Sequence, residues 1–154
     1  MHLTPIDDAH LAQMMTWFPD ADATLVWGGA PFRFPFTAQT FREDTRLDLP
    51  SYALVDDEGT LAGFGQYYRR LDRCHLARLA IAPGARGRGC GTALIRELCA
   101  VGRPALGVTG DSLFVLDHNQ AAYRLYRRLG FVDATYPEPL PPAHLYMVRD
   151  ASGL

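Results

Sequence analysis

Lysine is absent from this chain and asparagine occurs once, at Asn119, so the 15 basic residues other than histidine are all arginine. Without an ε-amine, Schiff-base catalysis and a P-loop lysine gripping phosphates are both excluded. Cysteine is sparse as well. Cys74, Cys90 and Cys99 are odd in number and make no CxxC pair, which excludes a disulfide framework and a zinc ribbon and implies no metal and a reducing cytoplasm. No run approaches the roughly 18 apolar residues of a membrane span. The N-terminus carries Asp7 and Asp8 where a signal peptide needs a positive flank and an apolar stretch. An excess of positive charge is also missing, since 15 Arg plus Lys stand against 17 Asp plus Glu for a net charge of −2. That leaves no counterion-release drive toward nucleic acid or an anionic membrane. The expectation is a cytoplasmic protein acting on a small partner.

What is present suffices for a core. With 48% hydrophobic and 21% charged residues over 154 positions, one domain spanning 1–154 can bury a continuous interior. Leu3 to Ile6 reads as a strand, and Ala9, Leu11, Met14, Met15 and Phe18 then recur at helical spacing. Gly28, Gly29, Pro31 and Pro35 break an aromatic stretch containing Trp27, Phe32, Phe34 and Phe36, which reads as a loop: a flap over the core or a pocket wall. Thr37 opens a second helix running to about Arg46. Tyr52 to Val55 and Leu61 to Tyr68 form a hairpin across the polar turn ending at Gly59. After a polar link from Arg69 to Arg73, Cys74 to Ile81 is a further strand.

The pattern then turns helical, with Ala93, Leu94, Leu98 and Val101 on one face and Arg96, Glu97 and Arg103 off it. Ser112 to Leu116 is a strand. Ala122, Leu125, Tyr126 and Leu129 make an i, i+3, i+4, i+7 stripe on a helix from Asn119 that Gly130 closes. Phe131 to Tyr136 and Ala143 to Arg149 are final strands around a proline-rich loop. The order predicts a mixed α+β fold around a mainly antiparallel sheet.

The densest chemical signal is the run from Ile81 to Thr92, where a strand passes through Arg86, Gly87, Arg88, Gly89, Cys90 and Gly91 straight into an amphipathic helix. Glycines let successive amides converge, and the helix start adds its positive dipole end, so the segment suits a phosphate. Two arginines add affinity for a diphosphate. A dinucleotide-binding GxGxxG is a poor fit, because the glycines run GxGxG and no βαβ alternation precedes them, and Asp111 is a weak candidate for the acid that it needs.

This segment resembles the Arg/Gln-x-x-Gly-x-Gly/Ala signature of the GNAT N-acetyltransferase superfamily, with Leu79, Ala80 and Ile81 on the strand before it. Asn119, Ala122, Leu125, Tyr126, Leu129, Gly130 and Phe131 resemble the family's second block at the expected distance. The resemblance implies a single GNAT-like domain with about six to seven strands, helices on both faces and a splayed central strand pair. It also implies acetyl-CoA as cosubstrate, its pyrophosphate on residues 86 to 91 with Thr92 beside them and its pantetheine arm along Leu79, Ala80 and Ile81. An amine then attacks the thioester directly, a backbone N–H near Ile81 stabilises the oxyanion, and Tyr126 protonates the departing thiolate. Asn119 serves as a helix cap, a cofactor contact, or both.

The family's usual glutamate base is missing from the strand, where His75 and Ala77 stand instead. His75 is the candidate side-chain base, with a water chain as the other route. The acceptor, a small-molecule, amino-acid or peptide amine, is expected between the loop from Trp27 to Phe36 and the loop from Tyr136 to His144, contacting Trp27, Phe32, Phe34 and Tyr136. Arg33 could pair with a carboxylate on such an acceptor, and Asp20 and Asp22 are solvated or attract its cation. A homodimer through the last strand is compatible with the pattern. The rival from another class is a non-catalytic module that senses acetyl-CoA or binds a partner.

Overall fold

Short side-chain oxygens start the helices of the N-terminal half. Asp7 accepts from the His10 amide at 2.8 Å and opens α1 (Asp8–Met15), and Asp20 accepts from the Ala23 amide at 2.8 Å and opens α2 (Ala21–Gly28). Thr37 accepts from the Thr40 amide at 3.1 Å and opens α3 (Ala38–Asp44). Each oxygen satisfies an amide the helix cannot. The helix α2 corrects the sequence expectation, which left one long loop here: Trp27 sits on its last turn, and the chain leaves it at Gly29 with φ 86°.

The computed structural model describes residues 1–150. Its strands are β1 (His2–Pro5), β2 (Ser51–Val55), β3 (Leu61–Arg70), β4 (Arg73–Ile81), β5 (Gly110–Leu116), β6 (Val132–Ala134) and β7 (His144–Asp150). They join in one mixed sheet in the order β1-β2-β3-β4-β5-β7-β6. The helix α4 (Cys90–Leu106) is the crossover that a parallel β4·β5 pair requires, and α5 (Gln120–Arg128) follows β5. The β4·β5 ladder holds only Cys74↔Asp111, His75↔Ser112 and Leu76↔Leu113. Both strands continue past it, and β5 stays paired with antiparallel β7 from Gly110↔Asp150 to Leu116↔His144. This is the expected α+β class with a central parallel pair that stops early. No helix among the described residues is long and apolar enough to cross a membrane.

The described residues group into two compact units. The first comprises Met1–Gln66 with Arg78–Leu94. Its interior is aromatic: Phe41 and Phe64 are fully buried, Phe18 stacks on Trp27 at 4.2 Å between centroids, and Phe32 meets Phe41 edge-on at 5.5 Å. The buried polar side chains of this unit, among the described residues, are Thr24, Thr45 and Gln66. The Nε2 of Gln66 donates to the carbonyls of Thr45 and Arg46 at 2.7 and 3.0 Å and to Ser51 Oγ at 2.9 Å, which offsets the cost of burying an amide.

The second unit comprises Tyr67–Ala77 with Ile95 onward, and its interior is organised by a charge. Asp111 on β5 is fully buried and accepts from Arg103 Nε at 2.8 Å and Arg149 Nε at 3.0 Å. Arg149 also donates to the Leu129 carbonyl at 3.0 Å and lies over the Phe131 ring at 4.7 Å. Two sequence expectations are corrected here. Arg103 is buried, because Asp111 supplies its countercharge, while Val101 is 37% exposed on the opposite side of α4. Asp111 is committed to this ion pair and is unavailable to a dinucleotide ribose.

Candidate active site

The strand β4 changes character along its length. Cys74, His75 and Leu76 are buried, whereas every residue from Ala77 to Ile81 is half-exposed. Between the halves Arg78 adopts φ 48°, a left-handed conformation that breaks the pleat. Two contacts hold this kink in the first unit: Trp27 Nε1 donates to the Arg78 carbonyl at 2.8 Å, and Arg78 Nη1 donates to Gln66 Oε1 at 3.1 Å. Further along, Gly63 on β3 allows close approach, since a Cβ there would stand 2.9 Å from the Ala80 carbonyl oxygen. The predicted pantetheine-binding residues Leu79, Ala80 and Ile81 therefore lie on a half-exposed strand whose backbone is pinned from behind.

The chain leaves β4 through a short turn, in which Ala85 N–H donates to the Ala82 carbonyl at 2.8 Å, and enters the glycine loop. Gly87 and Gly89 have φ of 75° and 77°, a conformation that favours glycine, and nothing stands within 4 Å of where a Cβ would project. The Gly89 carbonyl accepts from Ala93 N–H at 3.1 Å, beginning α4. Among the described residues the amides of residues 86 to 89 donate to no protein acceptor, and those of Cys90, Gly91 and Thr92 belong to the first turn, where the helix offers none. Arg86 and Arg88 are exposed beside them. The Cys90 side chain turns inward at 2% exposure, so this residue presents only its amide. The loop brings together the whole predicted diphosphate set from Arg86 to Thr92.

Asn119 caps α5, accepting from the Ala122 amide at a long 3.4 Å. One helical turn beyond Ala122, Tyr126 is half-buried, with its ring 6.1 Å from Phe131. Burial pushes its phenol up to about 12, and its hydroxyl has no hydrogen-bond partner among the described residues. It is a neutral donor that no neighbour occupies.

His75 is a different case. It is 2% exposed, its Nδ1 lies 2.8 Å from Ser112 Oγ, and its ring packs against Phe114 at 4.7 Å and Tyr68 at 5.2 Å. Burial first, and then the charge of Arg70, hold its pKa down at about 3. A ring this enclosed and this weakly basic is a neutral packing group, which corrects its candidacy as the base.

The predicted acceptor residues divide. Phe32 is 7% exposed, and Trp27 is half-buried with its indole committed to Arg78, so both belong to the aromatic interior. Phe34 is 39% exposed, and Tyr136 is half-buried. Arg33 is taken: Asp44 accepts from its Nε at 3.0 Å and from its Nη2 at 2.9 Å. Asp20 caps α2, and Asp22 lies in that helix's first turn. The sequence reading missed Arg70, placed in a polar link but found on β3, where its Nη1 donates to Tyr136 Oη at 2.6 Å. Extending the period-two pattern of β3 by two residues would have set Tyr68 and Arg70 on one face. Among the described residues no three His, Cys, Asp or Glu side chains converge on a metal site.

The central parallel ladder of the mixed sheet stops early, and β4 leads through a glycine turn with uncommitted amides into α4. Residues 13–131 match the acetyltransferase (GNAT) family, and the chain belongs to it. Among curated relatives, the mycothiol acetyltransferase of Nocardia farcinica is 32% identical over 124 residues, covering 66% of this chain and 41% of its own. That of Salinispora tropica is 33% identical over 132 residues, covering 81% and 41%. The chain thus spans 41% of the length of these curated relatives.

Solved structures share the fold. The aminoglycoside acetyltransferase AAC(6')-Ib, in complex with paromomycin and acetyl-CoA, has a TM-score of 0.77 at 21% identity, over 99% of this chain and 94% of that one. The PaiA N-acetyltransferase of Thermoplasma acidophilum, in complex with coenzyme A, has a TM-score of 0.68 at 15% identity, over 97% and 98%.

Proposed function

We propose that the protein transfers the acetyl group of acetyl-CoA directly to a primary amine of a small molecule, amino acid or peptide, working in the cytoplasm. The observation that carries this is the row of uncommitted amides from Arg86 to Thr92 at the start of α4. Such a row binds a diphosphate through fixed dipoles, with Arg86 and Arg88 as mobile countercharges. The half-exposed backbone of Leu79, Ala80 and Ile81 offers the pantetheine amides an extended partner, and Asn119 adds a cofactor contact while capping α5. The three thiols are free and buried, as suits a reducing compartment.

In the reaction the amine nitrogen forms a bond to the thioester carbonyl carbon, and the oxygen takes the negative charge, held by a backbone N–H near Ile81. As that oxyanion collapses, the carbon–sulfur bond breaks, Tyr126 passes its phenolic proton to the leaving sulfur, and the nitrogen's surplus proton restores the phenol through solvent. Water in place of His75 removes the ammonium proton beforehand. Of the residues expected to contact the acceptor, Phe34 and Tyr136 keep some exposure for it, while Trp27 and Phe32 lie in the aromatic interior. Relatives named for mycothiol and aminoglycosides favour a small-molecule acceptor.

The test offers acetyl-CoA with a panel of amines, scored by thiol release and by mass of the acetylated product. Stoichiometric thiol and acetyl-amine with at least one acceptor is expected. CoA binding without product from any amine overturns the reading in favour of a sensing module.

A further inference from the structure

We infer that Arg70 is an anion-recognition residue of the acceptor site, and that the protein takes amines whose molecule also carries a carboxylate. This rests on the acetyl-transfer reading above and names its substrate class. The starting point is a missing countercharge. Arg69 and Arg73, on either side, hold Asp72 at 3.2 Å and Asp150 at 3.1 Å. Arg70 lies between them, half-buried, and among the described residues it has no carboxylate partner.

Its guanidinium is nevertheless fixed. Tyr68 Oη accepts from Nη2 at 2.8 Å and from Nε at 3.3 Å, and Tyr136 Oη accepts from Nη1 at 2.6 Å. The rings of Tyr68 and Phe114 stand 5.3 and 5.2 Å from its central carbon. Of the five N–H donors in a guanidinium, those bonds leave one on each terminal nitrogen. Each of these two N–H groups can donate to a carboxylate oxygen, and such charge-assisted bonds are the strong ones.

The position fits an acceptor rather than a surface ion. Phe114 directly follows Leu113, the last β5 residue paired with β4, so the guanidinium stands where the parallel ladder stops. The other side chains packed there, His75, Tyr136 and Tyr146, carry no negative charge. A fixed cation with no anion beside it attracts a carboxylate and repels a polycation. Polyamines and aminoglycosides are therefore disfavoured, in spite of the fold shared with an aminoglycoside enzyme.

The experiment uses matched triplets: an amino acid, its carboxamide and its decarboxylated amine, built on leucine, phenylalanine, methionine and glutamate. Two readouts run in parallel, kcat/KM by thiol release and the rise in Tm with CoA already bound. The carboxylate member of at least one triplet should be preferred by about tenfold or more and should alone raise Tm. In Arg70→Gln that preference should fall below about twofold, with Arg70→Lys between, since an ammonium keeps the charge without the planar set of donors. Where Arg70→Gln does not fold, Tyr136→Phe releases one anchor of the guanidinium and should still reduce the ratio.

No carboxylate preference in either readout overturns the proposal, as does a preference that survives Arg70→Gln or, failing that variant, Tyr136→Phe. Carboxylate-selective stabilisation that depends on Arg70, without thiol release from any triplet, upholds the subsite and removes acetyl transfer instead.

Discussion

Trp27 and Arg78, which lie 51 residues apart, are joined by one hydrogen bond: the indole N–H on the last turn of α2 donates to the carbonyl of the left-handed residue in β4. The bond makes Trp27 a brace for the kinked strand, and its ring completes a stack with Phe18 and Phe41. Trp27→Phe keeps an aromatic ring and deletes the donor, leaving a partly buried carbonyl unpaired at a cost of about 1–3 kcal/mol. Trp27→Ala should cost about 3–5 kcal/mol. Urea denaturation checks both. Equal, small losses would mean that the indole braces nothing.

The glycine loop should respond to shape more than to charge. Gly89 requires φ 77°, so Gly89→Val strains the backbone and displaces the neighbouring amides from that conformation. Arg88→Ala removes only an exposed side chain. Calorimetric titration of CoA should show the larger loss of affinity in Gly89→Val, with Arg88→Ala weaker by roughly tenfold or less. A reversed order would make side-chain charge the dominant contribution.

Tyr126→Phe deletes one hydroxyl and keeps the ring against Phe131. Turnover at saturating substrates should fall by about 10²-fold, the scale of a general acid, with CoA affinity and Tm little changed. An acid loses activity as pH rises through its pKa. With the phenol near 12, Tyr126 sets no alkaline limb in the usual assay range, so any limb seen below about pH 10 should be identical in the variant. Full activity in the variant removes Tyr126 from the chemistry.

Burial makes His75 a pH liability for stability. Its folded pKa of about 3 lies below the ordinary 6.5, so between those values the unfolded chain binds a proton that the folded one refuses. Stability is fully present above about pH 6.5 and is lost as the solution is acidified toward 3. From pH 7 to 4.5 the loss amounts to about 2.5 kcal/mol. His75→Asn, which retains a polar atom for Ser112, should show a flatter dependence. An equal drop in urea midpoint from pH 7 to 4.5 in the parent and in His75→Asn would contradict the assignment.

Periodic and punctuated segments are legible in the sequence itself. The hairpin β2–β3, the stripe of α5 with its closing Gly130, and the strand–glycine–helix passage all follow from local chemistry. What escaped depends on distant partners. The helix α2 exposes Leu25 and Val26 and carries two glycines at its end, so it shows no stripe and reads as a broken loop. Arg103 looks like a solvent-facing residue until Asp111 is placed opposite it. Arg70 acquires meaning only through Tyr136, 66 residues away. His75 is chemically a base in any sequence, and only its enclosure decides otherwise.

The buried Asp111 bears on how the chain is made. It binds Arg103, eight residues earlier, and Arg149, 38 residues later. During synthesis the second unit can therefore assemble α4 against β5 early, with the first of these pairs in place. Among the described residues, β7 supplies both a neighbouring strand for β5 and the only partner of β6. Until Arg149 leaves the ribosome, β5 has one open edge and β6 has no sheet to join. The Asp111–Arg149 pair and the β5·β7 ladder therefore close the unit together, from its last strand.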